Sequence, residues 1–126
     1  MGLNICVFAM RVAVALGLVI AAASAASATN YGAIAYSPST GARGFSYDYP
    51  TRRDAESRAM SECAARGRGC KTVIWFKNAC AALATGNNGW GAAWAGSRRA
   101  AENQAMGSCS SRSRGCSILV WSCTSK

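Results

Sequence analysis

Cysteine and arginine are the two residue types whose number and spacing in this chain could do chemistry. Six of the seven cysteines, Cys63, Cys70, Cys80, Cys109, Cys116 and Cys123, all those beyond the N-terminal Cys6, are interleaved with eight arginines in close pairs, Arg52/Arg53, Arg66/Arg68, Arg98/Arg99 and Arg112/Arg114. Thiols either pair with each other or hold a metal. The short gaps, Cys63 to Cys70, Cys70 to Cys80 and Cys109 to Cys116, enclose six, nine and six residues and include no C-x2-C unit of the zinc-binding kind. An even count in a small exported chain predicts disulfides and no metal. Arginine pairs predict basic patches for nucleic acid, anionic lipid or an acidic polymer. The competing reading is a solvated basic face, in which Arg52–Glu56 and Arg98–Glu102 are ordinary i,i+4 helix pairs.

Catalytic chemistry is poorly supplied. The chain has no histidine, which removes the commonest general base and every Ser/His or Cys/His nucleophile pair. Only five acids are present, Asp48, Asp54, Glu56, Glu62 and Glu102, too few to favour a two-carboxylate glycosidase or a hard-cation site. Glu56 and Glu102 form a symmetric pair, but their spacing to Arg52 and Arg98 favours ion pairing over catalysis. No G-x-S-x-G elbow or S-x-x-K pair with partners is present. These residues predict binding rather than enzymatic activity, with no catalytic residue, metal or cofactor.

The N-terminus reads as a targeting segment. Arg11 precedes the apolar run Val12 to Ala23, and small residues lead to Ala26-Ser27-Ala28, an A-x-A cleavage site. Residues 1–28 are therefore expected to be a signal peptide, with Met10 a better start than Met1 and Cys6 irrelevant to the mature protein. The run is short for a spanning helix, so no integral membrane segment is expected in the mature chain. Removing Arg11 with this segment changes the formal net charge from +9 to +8. The expected location is secreted, periplasmic or in the cell envelope.

An internal repeat organises the remainder, a single domain spanning 29–126 with units at about 31–80 and 81–126. Thr51 to Cys63 matches Ser97 to Cys109 at seven of thirteen positions with an offset of 46. Arg66, Arg68, Gly69, Cys70 and Trp75 fall on Arg112, Arg114, Gly115, Cys116 and Trp121 at the same offset. Ala33-Ile34-Ala35 and Gly44 to Tyr47 match Ala82-Leu83-Ala84 and Gly91 to Trp94 with small shifts. Each unit reads as a hairpin, a helix and a strand. Pro38 to Gly41 and Gly86 to Gly89 are turns, and Asn88-Gly89 predicts the positive φ angles of a primed turn. Thr51 and Ser97 are N-caps, the first with Asp54 three residues on. Ala55, Ala59, Met60 and Cys63, with Ala101, Ala105, Met106 and Cys109, form the inner helix stripes. Lys71 to Phe76 and Ser117 to Trp121 read as strands covered on both faces.

The predicted fold is therefore α+β, a duplicated β-β-α-β unit with pseudo-twofold symmetry, stabilised by disulfides around one shared core. Symmetry predicts the bonds Cys63–Cys70 and Cys109–Cys116, leaving Cys80 and Cys123 to join the copies. The short loops are worth about 2–3 kcal/mol each and the long one about 4 kcal/mol in loop entropy. Tyr47, Tyr49, Trp75, Trp90, Trp94 and Trp121 could line a glycan-binding face. Trp75 and Trp121 lie among Val, Ile and Leu and read as core, which leaves Trp90 and Trp94 as the exposed pair.

Tyr31-Gly-Ala-Ile-Ala-Tyr-Ser37, Tyr47-Asp-Tyr-Pro-Thr51, the Cys63/Cys70 loop and the segment Trp75 to Ala84 resemble a family of small exported bacterial proteins with mycobacterial members. It is catalogued as the domain of unknown function numbered 4189. The resemblance spans nearly all of residues 31–123 and implies export and a small cysteine-bearing domain. It carries no catalytic residue.

Two functions are expected from these features. The first is a secreted binding or effector module whose basic loops contact an anionic polymer or membrane surface. The alternative is an exported inhibitor or immunity-type partner of an envelope or host protein, using the Trp90/Trp94 hairpin.

Overall fold

The computed structural model describes residues 29–125; the expected signal peptide, the alternative start at Met10 and Cys6 lie outside the described residues. The first unit comprises β1 (Tyr31–Tyr36), β2 (Arg43–Tyr49), α1 (Arg52–Ala64) and β3 (Lys71–Lys77). The second comprises β4 (Cys80–Thr85), β5 (Trp90–Ala95), α2 (Arg98–Ser110) and β6 (Ser117–Cys123). The predicted α+β duplication is what the chain adopts.

Each helix starts where its cap directs. The Thr51 hydroxyl accepts the Asp54 amide at 3.1 Å, and the Ser97 hydroxyl accepts the Ala100 amide at 3.2 Å. Each cap satisfies an amide that the first helical turn leaves without a carbonyl. Thr51→Ala and Ser97→Ala should each cost about 1 kcal/mol, measured by denaturant unfolding. Ala55, Ala59 and Cys63 are buried on α1, as are Ala101, Ala105 and Cys109 on α2.

The two sheets have strand orders β2-β1-β3 and β5-β4-β6, every pair antiparallel. They pack face to face, with one helix on each outer side. The core is accordingly three clusters rather than the single one expected. One lies under each helix, and the third, containing Ile34, Tyr36, Phe76 and Leu83, lies between the sheets. The doubly covered strands are β1 and β4, whereas β3 and β6 are edges. This overturns the reading of Lys71 to Phe76 and Ser117 to Trp121 as strands covered on both faces. The cause is visible in β1 and β4. Their helix-facing positions are all alanine, Ala33, Ala35, Ala82 and Ala84, whereas Ile34 and Leu83 face the opposite sheet. A doubly covered strand made largely of alanine lacks the large apolar run that marks such strands in a sequence.

The disulfides pair as symmetry requires: Cys63–Cys70, Cys109–Cys116 and Cys80–Cys123. The first two join a helix end to the following strand, with the same Cα separation of 6.1 Å. The third does not join the copies. Cys80 opens β4 and Cys123 closes β6, so this bond ties two neighbouring strands of the second sheet. At the corresponding place in the first sheet, Tyr31 pairs with Lys77 across the strands, and the Lys77 ammonium lies 5.9 Å from the Tyr31 ring. A covalent tie in one unit thus stands where the other uses a cation–π contact.

The units are held to each other by the apolar layer between the sheets and by polar links at one end. Ser122 is buried and donates its hydroxyl to the Ser46 carbonyl at 3.2 Å, and Asp48 accepts the Ser125 amide at 2.8 Å. The β4–β5 turn departs from the expected primed form, because neither Asn88 nor Gly89 is among the positive-φ residues. Ser113 instead fixes it from the α2–β6 loop, accepting the Asn88 amide at 3.0 Å and donating to the Asn88 side-chain oxygen at 2.9 Å.

Candidate binding surfaces

The eight duplicated arginines separate into two sets at opposite ends of the molecule. Arg66, Arg68, Arg112 and Arg114 lie on the loops after the helices. In each unit that loop packs against the hairpin turn. The Arg68 carbonyl accepts the Ser37 hydroxyl at 2.5 Å, and the Arg114 carbonyl accepts the Asn87 amide at 2.9 Å. Backbone anchoring therefore fixes the loops while all four side chains remain exposed.

Both loops emerge at the same end. A cleft of about 460 Å³ is lined by Tyr36 and Pro38 of the first unit and by Asn88, Trp90 and Arg112 of the second. The Tyr36 and Trp90 rings meet edge-on at 6.3 Å, and the Lys71 ammonium lies 5.4 Å from the Trp90 ring. Arg43 joins this end, its carbonyl accepting Arg66 Nη1 at 3.2 Å. The nearest acid in sequence is Glu62, which is engaged by Arg58 at 2.9 Å. Asp54 sits in the first turn of α1, and Glu56 and Glu102 stand one turn after the helix starts, toward the far end. The charge is thus polarised, with one end carrying Arg43, Arg66, Arg68, Lys71, Arg112 and Arg114.

At the far end, Arg52 and Arg98 are occupied. Arg52 Nε donates to Glu56 at 3.0 Å and Arg98 Nε to Glu102 at 2.8 Å, the i,i+4 pairs expected from spacing. Each guanidinium also lies on a tryptophan ring, Arg52 at 4.4 Å from Trp75 and Arg98 at 3.8 Å from Trp121. Arg53 and Arg99 are exposed beside them.

Trp75 and Trp121 are therefore not core, as their sequence context implied. They are 39% and 40% exposed, because each helix lies over the first two strands of its unit and leaves the outer face of β3 and β6 open. Trp94 is 58% exposed, as expected. Trp90 is half-buried in the cleft against Tyr36 and Lys71.

The remaining exposed large apolar side chains are Phe45 and Tyr47. Together with the three tryptophans they lie in two grooves along the seams between the sheets. One groove, about 590 Å³, is bordered by Val73 to Lys77 and by Trp94. The other, about 540 Å³, is bordered by Leu119 to Cys123 and by Phe45 and Tyr47. At the offset of 46, Val73 to Lys77 fall on Leu119 to Cys123, and with a shift of one residue Tyr47 corresponds to Trp94. The grooves are counterparts under the pseudo-twofold. Among the described residues, no group of three or more His, Cys, Asp or Glu is placed to hold a metal. No helix among them is long and apolar enough to cross a membrane.

This geometry defines a class of small α+β proteins in which two fused β-β-α-β units stack sheet against sheet, each locked by its own disulfides. The chain belongs to the family described as a domain of unknown function, DUF4189, whose model matches residues 31–123. It is similar to a solved relative, Rv1813c from Mycobacterium tuberculosis, whose NMR structure superposes with a TM-score of 0.55 at 32% identity, covering 75% of this chain and 74% of that one. No curated protein matches the chain. Three disulfides in a domain of this size are consistent with folding in an oxidising compartment.

Proposed function

We propose that the protein is an exported, non-enzymatic binding module that engages an anionic polymer or surface through its basic end. The observation that carries this reading is that the loops bearing Arg66 and Arg68 in one repeat and Arg112 and Arg114 in the other pack on the two hairpin turns that border one cleft, which Arg112 lines, with Arg43 and Lys71 beside them. A merely solvating role would be served as well by cations spread among the acids. Here the acids Asp54, Glu56 and Glu102 are segregated to the opposite end, so the positive potential at the loops is not locally cancelled. Anchored loop backbones keep the arginines in place, which limits the entropy lost on binding. The N-terminal sequence and the disulfides support export.

The test is retention on immobilised heparin. Arg66→Ala combined with Arg112→Ala removes one cation from each loop, at exposed positions where folding should be unaffected. The variant should elute at clearly lower salt than the parent, whereas Arg53→Ala combined with Arg99→Ala should change elution less. Equal elution of the parent and the loop variant would sink the reading.

A further inference from the structure

We infer that the open edge of β3 docks an extended, acidic segment of a partner protein as an added strand. All five exposed large apolar side chains of the described residues lie in the two seam grooves. None is on a helix. Large apolar side chains gathered into grooves mark the seams as contact surfaces, whereas single scattered ones would not.

The occupant follows from what borders the β3 groove. Five consecutive residues, Val73 to Lys77, line it. A run without alternation means that the free edge of the strand, as well as its faces, borders the space. β3 pairs only with β1, so the N–H and C=O groups of its other edge have no strand partner. A peptide satisfies them by strand addition, and a polysaccharide has no matching backbone. Side chains of the added strand would alternate between two surroundings. One set meets Trp94, with Ile74 and Phe76 behind it facing the opposite sheet. The other set meets Trp75 and the guanidinium of Arg52 stacked on it.

Charge selects an acidic segment. Lys77 lines the groove and no Asp or Glu borders it, whereas Arg52, stacked on Trp75, is already paired with Glu56. A second copy of this chain, with formal net charge +9 over its full length, is repelled from such a site. The β6 groove lacks the lysine. Cys123 stands at the position equivalent to Lys77 and is committed to the bond with Cys80, so the β3 edge is the preferred one.

The experiment titrates the folded domain with a synthetic peptide of about seven residues alternating Glu and Val, the length of an ordinary strand. Amide hydrogen exchange and tryptophan fluorescence are the readouts. Saturable slowing of exchange within residues 73–77 is the expected result. Trp94→Ala, a substitution at an exposed position, should weaken binding about tenfold, as for an aromatic anchor. Backbone N-methylation of the peptide, or replacement of its Glu by Lys, should abolish binding. The proposal is overturned by unchanged exchange at 73–77, by equal binding of the N-methylated peptide or of polygalacturonate in this groove, or by self-association of the free chain that Trp94→Ala removes. Heparin retention of Trp94→Ala should match the parent, which separates the fate of this site from that of the basic end.

Discussion

Gly44→Ala and Gly91→Ala are each expected to lower stability by about 3 kcal/mol, at the upper end for overpacking. A shift in melting temperature on the order of 15 °C should follow for a domain of this size. A methyl on Gly44 would run into the Ala59 carbonyl oxygen and lie 2.6 Å from the Cys63 amide nitrogen. A methyl on Gly91 meets the Cys109 amide and lies 2.6 Å from the Ser108 carbonyl carbon. In both cases the obstacle is helix backbone, which can yield only by lifting the helix from the sheet. Lifting would open the cluster of Ala33, Ala35, Ala55, Ala59 and Cys63 in the first unit, and its counterpart in the second. Those alanines offer little side-chain length to refill the gap. Gly107→Ala provides the opposite sign. It lies within α2 with nothing within 4 Å of the added methyl, so the substitution should stabilise by about 0.5–1 kcal/mol through helix propensity. Thermal and denaturant unfolding of the three variants measure this. If Gly44→Ala unfolds at the parent temperature, the close helix–sheet contact is wrong.

The same contact explains which parts of the fold were legible in the sequence. The repeat, the helix caps, the inner stripes and the three bonds followed from matching residue types at a fixed offset. Layering did not. Ala33, Ala35, Ala82 and Ala84 are buried because a helix lies close above them, yet small residues carry no strong apolar signal. Val73, Ile74, Leu119 and Val120 carry that signal and lie on edge strands, where they form the seams. Trp75 and Trp121 were misread for the same reason. A sign of their exposure was present: Arg52 and Arg98 repeat at the same offset as the two tryptophans, so an exposed helix residue and a strand aromatic were duplicated together. Cys80–Cys123 was correctly paired but wrongly assigned to the join between copies. Its counterpart, Tyr31 with Lys77, is invisible until the strands are in register. The basic end, by contrast, was only half visible. The sequence showed four loop arginines in two equivalent places, but only the packing of Tyr36 against Trp90 brings those places to one end.

The second large effect concerns that end. Replacing Arg66, Arg68, Arg112 and Arg114 together by serine removes four exposed cations whose side chains carry no core contact. If each neutralises one anionic group of a polyanion, each binding event releases about 0.7–0.9 counterion per contact. The slope of log affinity against log salt concentration should then become shallower by about 3. At physiological salt the loss in affinity should be on the order of a thousandfold, because four charge-assisted contacts disappear together. Replacing the same four residues by lysine keeps the charge and should retain most of the slope.

The most direct measurement of the central claim is therefore the salt dependence of heparin binding, recorded for the parent, the four-serine variant and the four-lysine variant. A steep parent slope, a slope shallower by about 3 with serine and near-parent behaviour with lysine is the predicted result. A parent whose binding is indifferent to salt, or a four-serine variant with the parent's slope, would contradict a basic end that binds anions.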